Sequence, residues 1–212
     1  IVWPKEDQEL INEFITSGGR SDWEPEHFTI PLLGFHQVEN AATAYAAVEV
    51  LRSTGIKVTK DHIRQGFARV LWPGRFEVVN TNPLTEVDSA HNKDSALRLR
   101  LAMDDYLNGK PVILIFGSSE DKDVQGMFSH LLPRVKMVIA TKSDHPRAMD
   151  PDILVELANQ FGKKAVATHS IEQALTQAEQ RAGKETVILV AGSIFVAAAA
   201  RETILNKSTY KK

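Results

Sequence analysis

The chain contains no cysteine, so disulfides and thiolate metal sites are excluded, a composition that fits a reducing compartment. It also has no excess of either charge. Lys and Arg number 25 against 27 Asp and Glu, for a formal net charge of -2. Nothing in that balance points to nucleic acid or to an acidic tail. No apolar run is long enough to cross a bilayer. The longest, Val187 to Ala200, is broken by Gly192-Ser193 and falls short of the ~20 residues a span requires. Several chemical signatures are missing as well. There is no GxxxxGK[ST] phosphate loop and no GxGxxG dinucleotide fingerprint. There is no HExxH and no GxSxG elbow, so neither a zinc site nor a hydrolase triad has an anchor. The amino terminus, IVWPKEDQEL, lacks the basic-then-apolar order of a signal peptide and does not begin with Met. A piece of a longer chain is expected.

What is present is ordinary globular composition: 212 residues, 43% hydrophobic and 25% charged, enough for one large domain or a domain with part of another. Residues 5–16 read as a short amphipathic helix ending at Gly18-Gly19, and 20–27 as a polar loop. Phe28 to Leu33 alternates like a strand, with Pro31 marking an edge. Residues 37–53 predict an Ala-rich helix closed by Gly55, and Thr59 caps a second helix over 60–70 that stops at Trp72-Pro73-Gly74.

Beyond Pro73 apolar strands alternate with amphipathic helices. The strands are predicted over 76–80, 84–89, 112–116, 137–141, 165–168 and 187–191. The helices are predicted over 94–107, 124–132, 153–160, 171–181 and 195–205. Runs such as VILIF and VILVA are apolar on consecutive residues, which means burial on both faces and hence a parallel sheet covered on either side. The expected fold is α/β, a Rossmann-like, doubly wound, mostly parallel sheet from residue 73 onward. Ligands of such sheets bind beyond the carboxyl ends of the strands. The rim there would carry Asp88, His91, Lys122, Asp123, His145, Arg147 and Ser193, a set suited to an anionic substrate.

Three groups of segments carry a resemblance. The first is LLGFHQVENAATAYAA, residues 32–47; the second is WPGRFEVV, 72–79, with VDSAHNKDSA, 87–96. The third is FGSSEDKD, 116–123, with HPRA at 145–148 and AGSIFVAAAAR at 191–201. In this order and spacing they resemble the folylpolyglutamate synthase/dihydrofolate synthase branch of the Mur ligase superfamily, over the carboxyl-terminal part of such enzymes. The resemblance implies a two-domain ligase in which an amino-terminal P-loop ATPase domain holds triphosphate and Mg²⁺. Residues 1–72 would be the tail of that domain and 73–212 the carboxyl-terminal domain that closes over it.

The resemblance also implies roles. Asn40 would read adenine with its carboxamide, and His36 would help shape the same pocket. Arg75 would contact nucleotide phosphate or ribose through its planar fork. Asp88 would accept ribose hydroxyls, and the three would surround one adenosine. His91 would neighbour the phosphates and Lys122 would neutralise a carboxylate or the phosphate of an intermediate, the two catalytic candidates. Ser193 and Arg147 would serve glutamate. Ser89 and Lys93 stand where the family has glycine and proline, which bears on the shape of that loop. The implied reaction is ATP-dependent joining of L-glutamate to folate or dihydropteroate through an acyl phosphate, in a monomeric cytoplasmic protein without nucleic-acid or membrane partners. This chain by itself would be inactive. Another Mur-type amide ligase, or a non-catalytic α/β nucleotide-binding module, would share much of this pattern.

Overall fold

The structure is a computed structural model that describes residues 14–15 and 27–209. The chain divides after Trp72 into two compact units.

In the first unit, β1 (Phe14–Ile15) pairs antiparallel with β2 (His27–Phe28). The strand at Phe14–Ile15 corrects the end of the helix expected over 5–16; the rest of that helix, and most of the loop at 20–27, lie outside the described residues. The strand expected over 28–33 shortens to β2. Phe28, paired in β2, and Ile30 beyond it are both buried; the ladder does not run on to Pro31, which has no N–H to offer. Helix α1 (Phe35–Ser53) starts at Gly34, whose φ of 102° suits glycine, and no side chain caps it. Helix α2 (Lys60–Ala68) has a capping box in which Thr59 accepts from His62 N–H and the His62 ring accepts from Thr59 N–H. A small core of Phe28, Ile30, Ala41 and Ile63 lies between them, with the Phe28 ring 5.2 Å from Tyr45 and 5.6 Å from Phe67.

The second unit is built on one six-stranded sheet. Its elements are β3 (Glu77–Thr81), β4 (Leu84–Val87), α3 (Lys93–Tyr106), β5 (Val112–Phe116), α4 (Val124–Leu131), β6 (Met137–Ala140), α5 (Pro151–Gln160), β7 (Ala165–Ala167), α6 (Ile171–Arg181), β8 (Val187–Ala191) and α7 (Ile194–Thr209). The strand order is β3-β4-β8-β5-β6-β7, with β3 antiparallel to β4 and every other pairing parallel. The last strand therefore inserts between β4 and β5, which the chain made first.

Strand alternation divides the core. Val87, Ile113, Ile115, Ile139, Ile188 and Val190 face α6 and α7. Phe116 points the other way and meets Phe128 of α4 at 4.7 Å between ring centroids. VILIF and VILVA are buried at all five positions, as strands covered on both faces must be. Helix caps fix where each helix leaves the sheet rim. Asn92, Asp123, Asp150 and Ser170 each accept a backbone N–H at the start of α3, α4, α5 and α6.

Candidate functional site

At the carboxyl end of the sheet the strands crowd together. A Cβ on Gly117 would lie 2.5 Å from Thr141 O, and one on Gly192 would lie 2.6 Å from Gly117 O and 2.7 Å from the Phe116 ring. Gly192 also sits at φ 106°. These two glycines let the ends of β5, β6 and β8 close up, and Gly192 N–H donates to Ala90 O at 2.9 Å, joining the loop after β4 to the loop after β8.

The loop after β4 carries Asp88 to Asn92. Asp88 is buried at 9% exposure, and each of its carboxylate oxygens accepts one backbone N–H of the turn. Oδ2 accepts Phe76 N–H at 2.8 Å and Oδ1 accepts Ala90 N–H at 2.7 Å. Burial pushes the Asp88 carboxyl above the ordinary carboxylate range, opposed by those two N–H bonds and by the positive charges of Arg75 and His91. Arg75 donates from Nη1 to Ser89 Oγ at 2.6 Å, so the departure from glycine at 89 gives the guanidinium a resting partner. His91 Nδ1 lies 2.9 Å from Ser89 O, an acceptor only. That ring nitrogen therefore donates, and in the neutral tautomer that allows this Nε2 is the acceptor. Asp88, Ser89, His91 and Arg75 thus form one connected cluster of opposite charges.

A second cluster joins the loops after β5 and β6. Lys122 Nζ is 2.9 Å from Asp121 Oδ2, and Arg147 Nη1 is 3.7 Å from the same oxygen. The Lys122 hydrogen bond, reinforced by both cations, holds the Asp121 carboxyl below its ordinary range. Glu120 N–H donates to Arg147 O and Met149 N–H to Ser118 O, at 3.0 and 2.8 Å, so the two loops move as one. Asp123, one of the rim residues read from the sequence, caps α4 through Gly126 N–H at 2.8 Å. His145 stacks on Phe195 with centroids 4.3 Å apart, and its Nδ1 accepts Arg147 N–H at 3.2 Å. Ser193 is buried, and its hydroxyl accepts Phe195 N–H at 3.2 Å at the start of α7. Ser193 and Phe195 therefore stand beside His145 and, through Gly192, beside the Asp88 loop.

Asn40 and His36 belong to the first unit. Asn40 is exposed on the second turn of α1, not at its cap, and donates from Nδ2 to Gln37 Oε1 at 3.2 Å. Gln37 Nε2 in turn lies 3.0 Å from His36 Nε2. A carboxamide has two N–H donors and a carbonyl, and the Gln37 bond uses one donor, so the bidentate edge an adenine needs is retained.

Three residues of the second unit escaped the reading of the sequence. Glu77 lies within WPGRFEVV but passes for an outward strand residue; it accepts Gly74 N–H at 2.7 Å and pairs with Arg201 at 2.9 Å. Arg201 ends AGSIFVAAAAR, 124 residues away. Glu86, in β4, is fully buried between Val78 and Leu189, and neither carboxylate oxygen has a hydrogen-bond partner among the described residues. Burial pushes it up to about 8, the nearby Asp88 charge adding to this and Lys110 opposing it. Among the described residues no group of three or more His, Cys, Asp or Glu could hold a metal ion, and no helix is long and apolar enough to cross a membrane.

Comparison with known proteins gives this rim a context. Residues 74–194 match the family described as Mur ligase, glutamate ligase domain. A probable bifunctional folylpolyglutamate synthase/dihydropteroate synthase of Haloferax volcanii is 35% identical over 184 residues, 86% of this chain and 21% of that protein. The E. coli FolC structure in complex with DHPP and ADP superposes with a TM-score of 0.75 at 31% identity, covering 86% of this chain and 42% of that one. The bifunctional folylpolyglutamate synthase/dihydrofolate synthase of Yersinia pestis, complexed with AMPPNP and Mn ion, gives a TM-score of 0.71 at 27% identity, covering 89% and 43%. The chain thus spans well under half the length of these relatives.

Proposed function

The chain belongs to the Mur ligase family through its glutamate ligase domain, and from that premise we propose that it is the carboxyl-terminal part of an ATP-dependent ligase joining L-glutamate to folate or dihydropteroate. The observation that carries the reading is the Arg75–Ser89–Asp88–His91 cluster at the carboxyl end of β4, where the guanidinium of the turn before β3 meets the carboxylate and imidazole of the loop after β4.

The residues suit the parts of such a reaction that fall to this chain. Arg75 would leave Ser89 for a nucleotide phosphate, a charge-assisted bond stronger than the one it gives up. Asp88, whose oxygens have lone pairs left after two N–H bonds, would take a ribose hydroxyl. Asn40 and His36 would serve adenine. A free carboxylate resists attack by an amine because oxide is a poor leaving group. Phosphoryl transfer from ATP turns it into an acyl phosphate, which the α-amino group of glutamate attacks with loss of phosphate. Lys122 would offset the negative charge that gathers during this exchange. His91 Nε2, held as an acceptor, would receive a proton from the incoming ammonium. Ser193 and Arg147 would hold glutamate, the Arg147 guanidinium by its carboxylate. A divalent ion would offset phosphate charge when bound. The described residues offer it no cage, and on this reading its ligands and the phosphate loop belong to sequence outside this chain. The protein would act as a cytoplasmic monomer, as the family resemblance implies.

The test is incorporation of labelled L-glutamate into folate or dihydropteroate, with ATP, by the complete polypeptide this reading requires. Incorporation is expected from that polypeptide and none from residues 1–212 alone. Activity from residues 1–212, or none from the complete polypeptide with either acceptor, would overturn the proposal.

A further inference from the structure

The turn that carries Arg75 is held in a conformation its own residues do not favour. Gly74 lies at φ 73° and Phe76 at φ 45°, and the second is the left-handed region, which an aromatic side chain rarely adopts. Surrounding contacts must therefore impose it. Ser89 N–H donates to Gly74 O at 2.9 Å and Phe76 N–H to Asp88 Oδ2 at 2.8 Å, both from the loop after β4. The remaining anchor has a different source. Gly74 N–H donates to Glu77 Oε2 at 2.7 Å, and Arg201 Nε lies 3.0 and 2.9 Å from the two oxygens of the same carboxylate.

Glu77 and Arg201 are partly exposed, at 24% and 33%, where an ion pair adds little to stability. Their geometry matters more than their energy. Glu77 Oε2 is shared between the turn and α7, so the helix sets the place of the carboxylate and the carboxylate sets the place of Gly74, next to Arg75. Helix α7 begins immediately after Ser193, so one rigid element carries both the serine assigned to glutamate and the arginine that fastens the turn. An open groove of about 510 Å³ runs beside this contact, lined by Gly74, Ser89, Ala197, Arg201 and Leu205 among others, so among the described residues the turn borders open space on that flank.

We propose that Glu77 and Arg201 are positioning residues for Arg75: a latch through which α7 holds the guanidinium where a nucleotide phosphate meets it. The inference rests on the ATP reading above. Neither residue touches the nucleotide. Loss of the latch should weaken contacts to phosphate while leaving contacts to the nucleoside alone.

The test is a double-mutant cycle on the intact protein, with ADP and adenosine as probes. Arg75→Ala is expected to weaken ADP binding about tenfold or more and to leave adenosine unchanged. Glu77→Leu should weaken ADP about five- to tenfold with Arg75 present but less than twofold in the Arg75→Ala background. Arg201→Gln, which keeps the Glu77–Gly74 bond, should give a smaller loss with the same dependence on Arg75, and serves if Glu77→Leu folds poorly. The exchange Glu77→Arg with Arg201→Glu keeps opposite charges at the two positions but not the acceptor for Gly74 N–H, so it should leave ADP affinity as low as in Glu77→Leu. Unchanged ADP binding in Glu77→Leu and Arg201→Gln, or an equal loss in both backgrounds, or an equal loss for adenosine, would overturn the latch. Unchanged ADP binding in Arg75→Ala would instead strike the ATP reading itself.

Discussion

At the scale of single residues, two carboxylates, one in β4 and one just after it, lead different lives. Asp88 is buried but receives two backbone N–H bonds and two cationic neighbours, so its charge has somewhere to go. Glu86, two residues earlier on the same face of β4, has no hydrogen-bond partner among the described residues and is pushed from 4.5 up to about 8 by burial first and the Asp88 charge second. The sign follows. The folded protein keeps the Glu86 proton while the unfolded chain releases it near 4.5, so the folded form is favoured below that pH. Stability falls as pH rises from there to about 8 and levels off above. The full difference corresponds to roughly 5 kcal/mol at 1.36 kcal/mol per pH unit. Replacing Glu86→Met should therefore flatten the decline in urea-unfolding free energy between pH 5 and 8.5 and raise stability at the upper end by several kcal/mol. An unchanged decline would show that Glu86 is solvated or paired.

This acid was not legible in the sequence. In Leu84-Thr85-Glu86-Val87-Asp88 the alternation reads as a strand with one wet face. The wet face does not exist, because β8, about a hundred residues later, inserts beside β4, and Glu86 ends up fully buried. The Glu77–Arg201 pair was hidden for a similar reason: neither residue has a local partner that would mark it. Arg75 and Asp88 were singled out from WPGRFEVV and VDSAHN, and the bonds that join their turns appear only in the folded chain. Gly192 shows the reverse, a local constraint with a clear physical cost. Gly192→Ala sets a Cβ against Gly117 O and the Phe116 ring at φ 106°, and should destabilise the second unit by about 2–3 kcal/mol in chemical denaturation. A loss below ~0.5 kcal/mol would mean the rim is looser than its contacts indicate.

At the scale of elements, buried runs were the easiest to read. VILIF and VILVA became β5 and β8 at their expected limits because five consecutive apolar β-formers, bounded by Pro and Gly-Ser or Thr and Gly-Ser, have few other uses. Helix α6 began where Ser170 caps it and ended at Arg181 as expected. FTIPLL misled because alternation alone does not supply a neighbouring strand, and Pro31 removes the N–H such a strand would bind. The helix over 153–160 began two residues early, with Pro151 at its first position and Asp150 as its cap. At the head of α3, Asn92 accepts Ser95 N–H while Ser95 Oγ accepts Asn92 N–H, both near 3 Å. Because the same helix start holds His91 through Ser95 Oγ at 3.0 Å, Asn92→Ala should cost about 1 kcal/mol of stability and also broaden the His91 ring resonances in NMR. A stability loss with a sharp, unshifted His91 signal would separate the cap from the imidazole.

At the scale of the whole molecule, the two units differ in how much core they own. The first has four buried apolar residues at its centre among those described, whereas the second has a sheet sealed on both faces. Residues 73–212 expressed alone should therefore fold cooperatively, with one urea transition and native-like circular dichroism. A broad, non-cooperative transition would show that this unit depends on the other. The mostly parallel order was legible from the strand–helix alternation, but the insertion of β8 between β4 and β5 was not, since alternation does not encode strand order. That insertion brings Gly192 and Ser193 beside the Asp88 loop.

The claim that this β4–β8 corner receives the nucleotide phosphate is tested most directly by following backbone amide resonances of the isotope-labelled protein during titration with ADP. The account predicts that Gly74, Phe76, Ser89 and Ala90 shift progressively and saturate, and that these shifts vanish in Arg75→Ala. Shifts confined to the far edge around β7 and α5, or none at millimolar ADP, would contradict it.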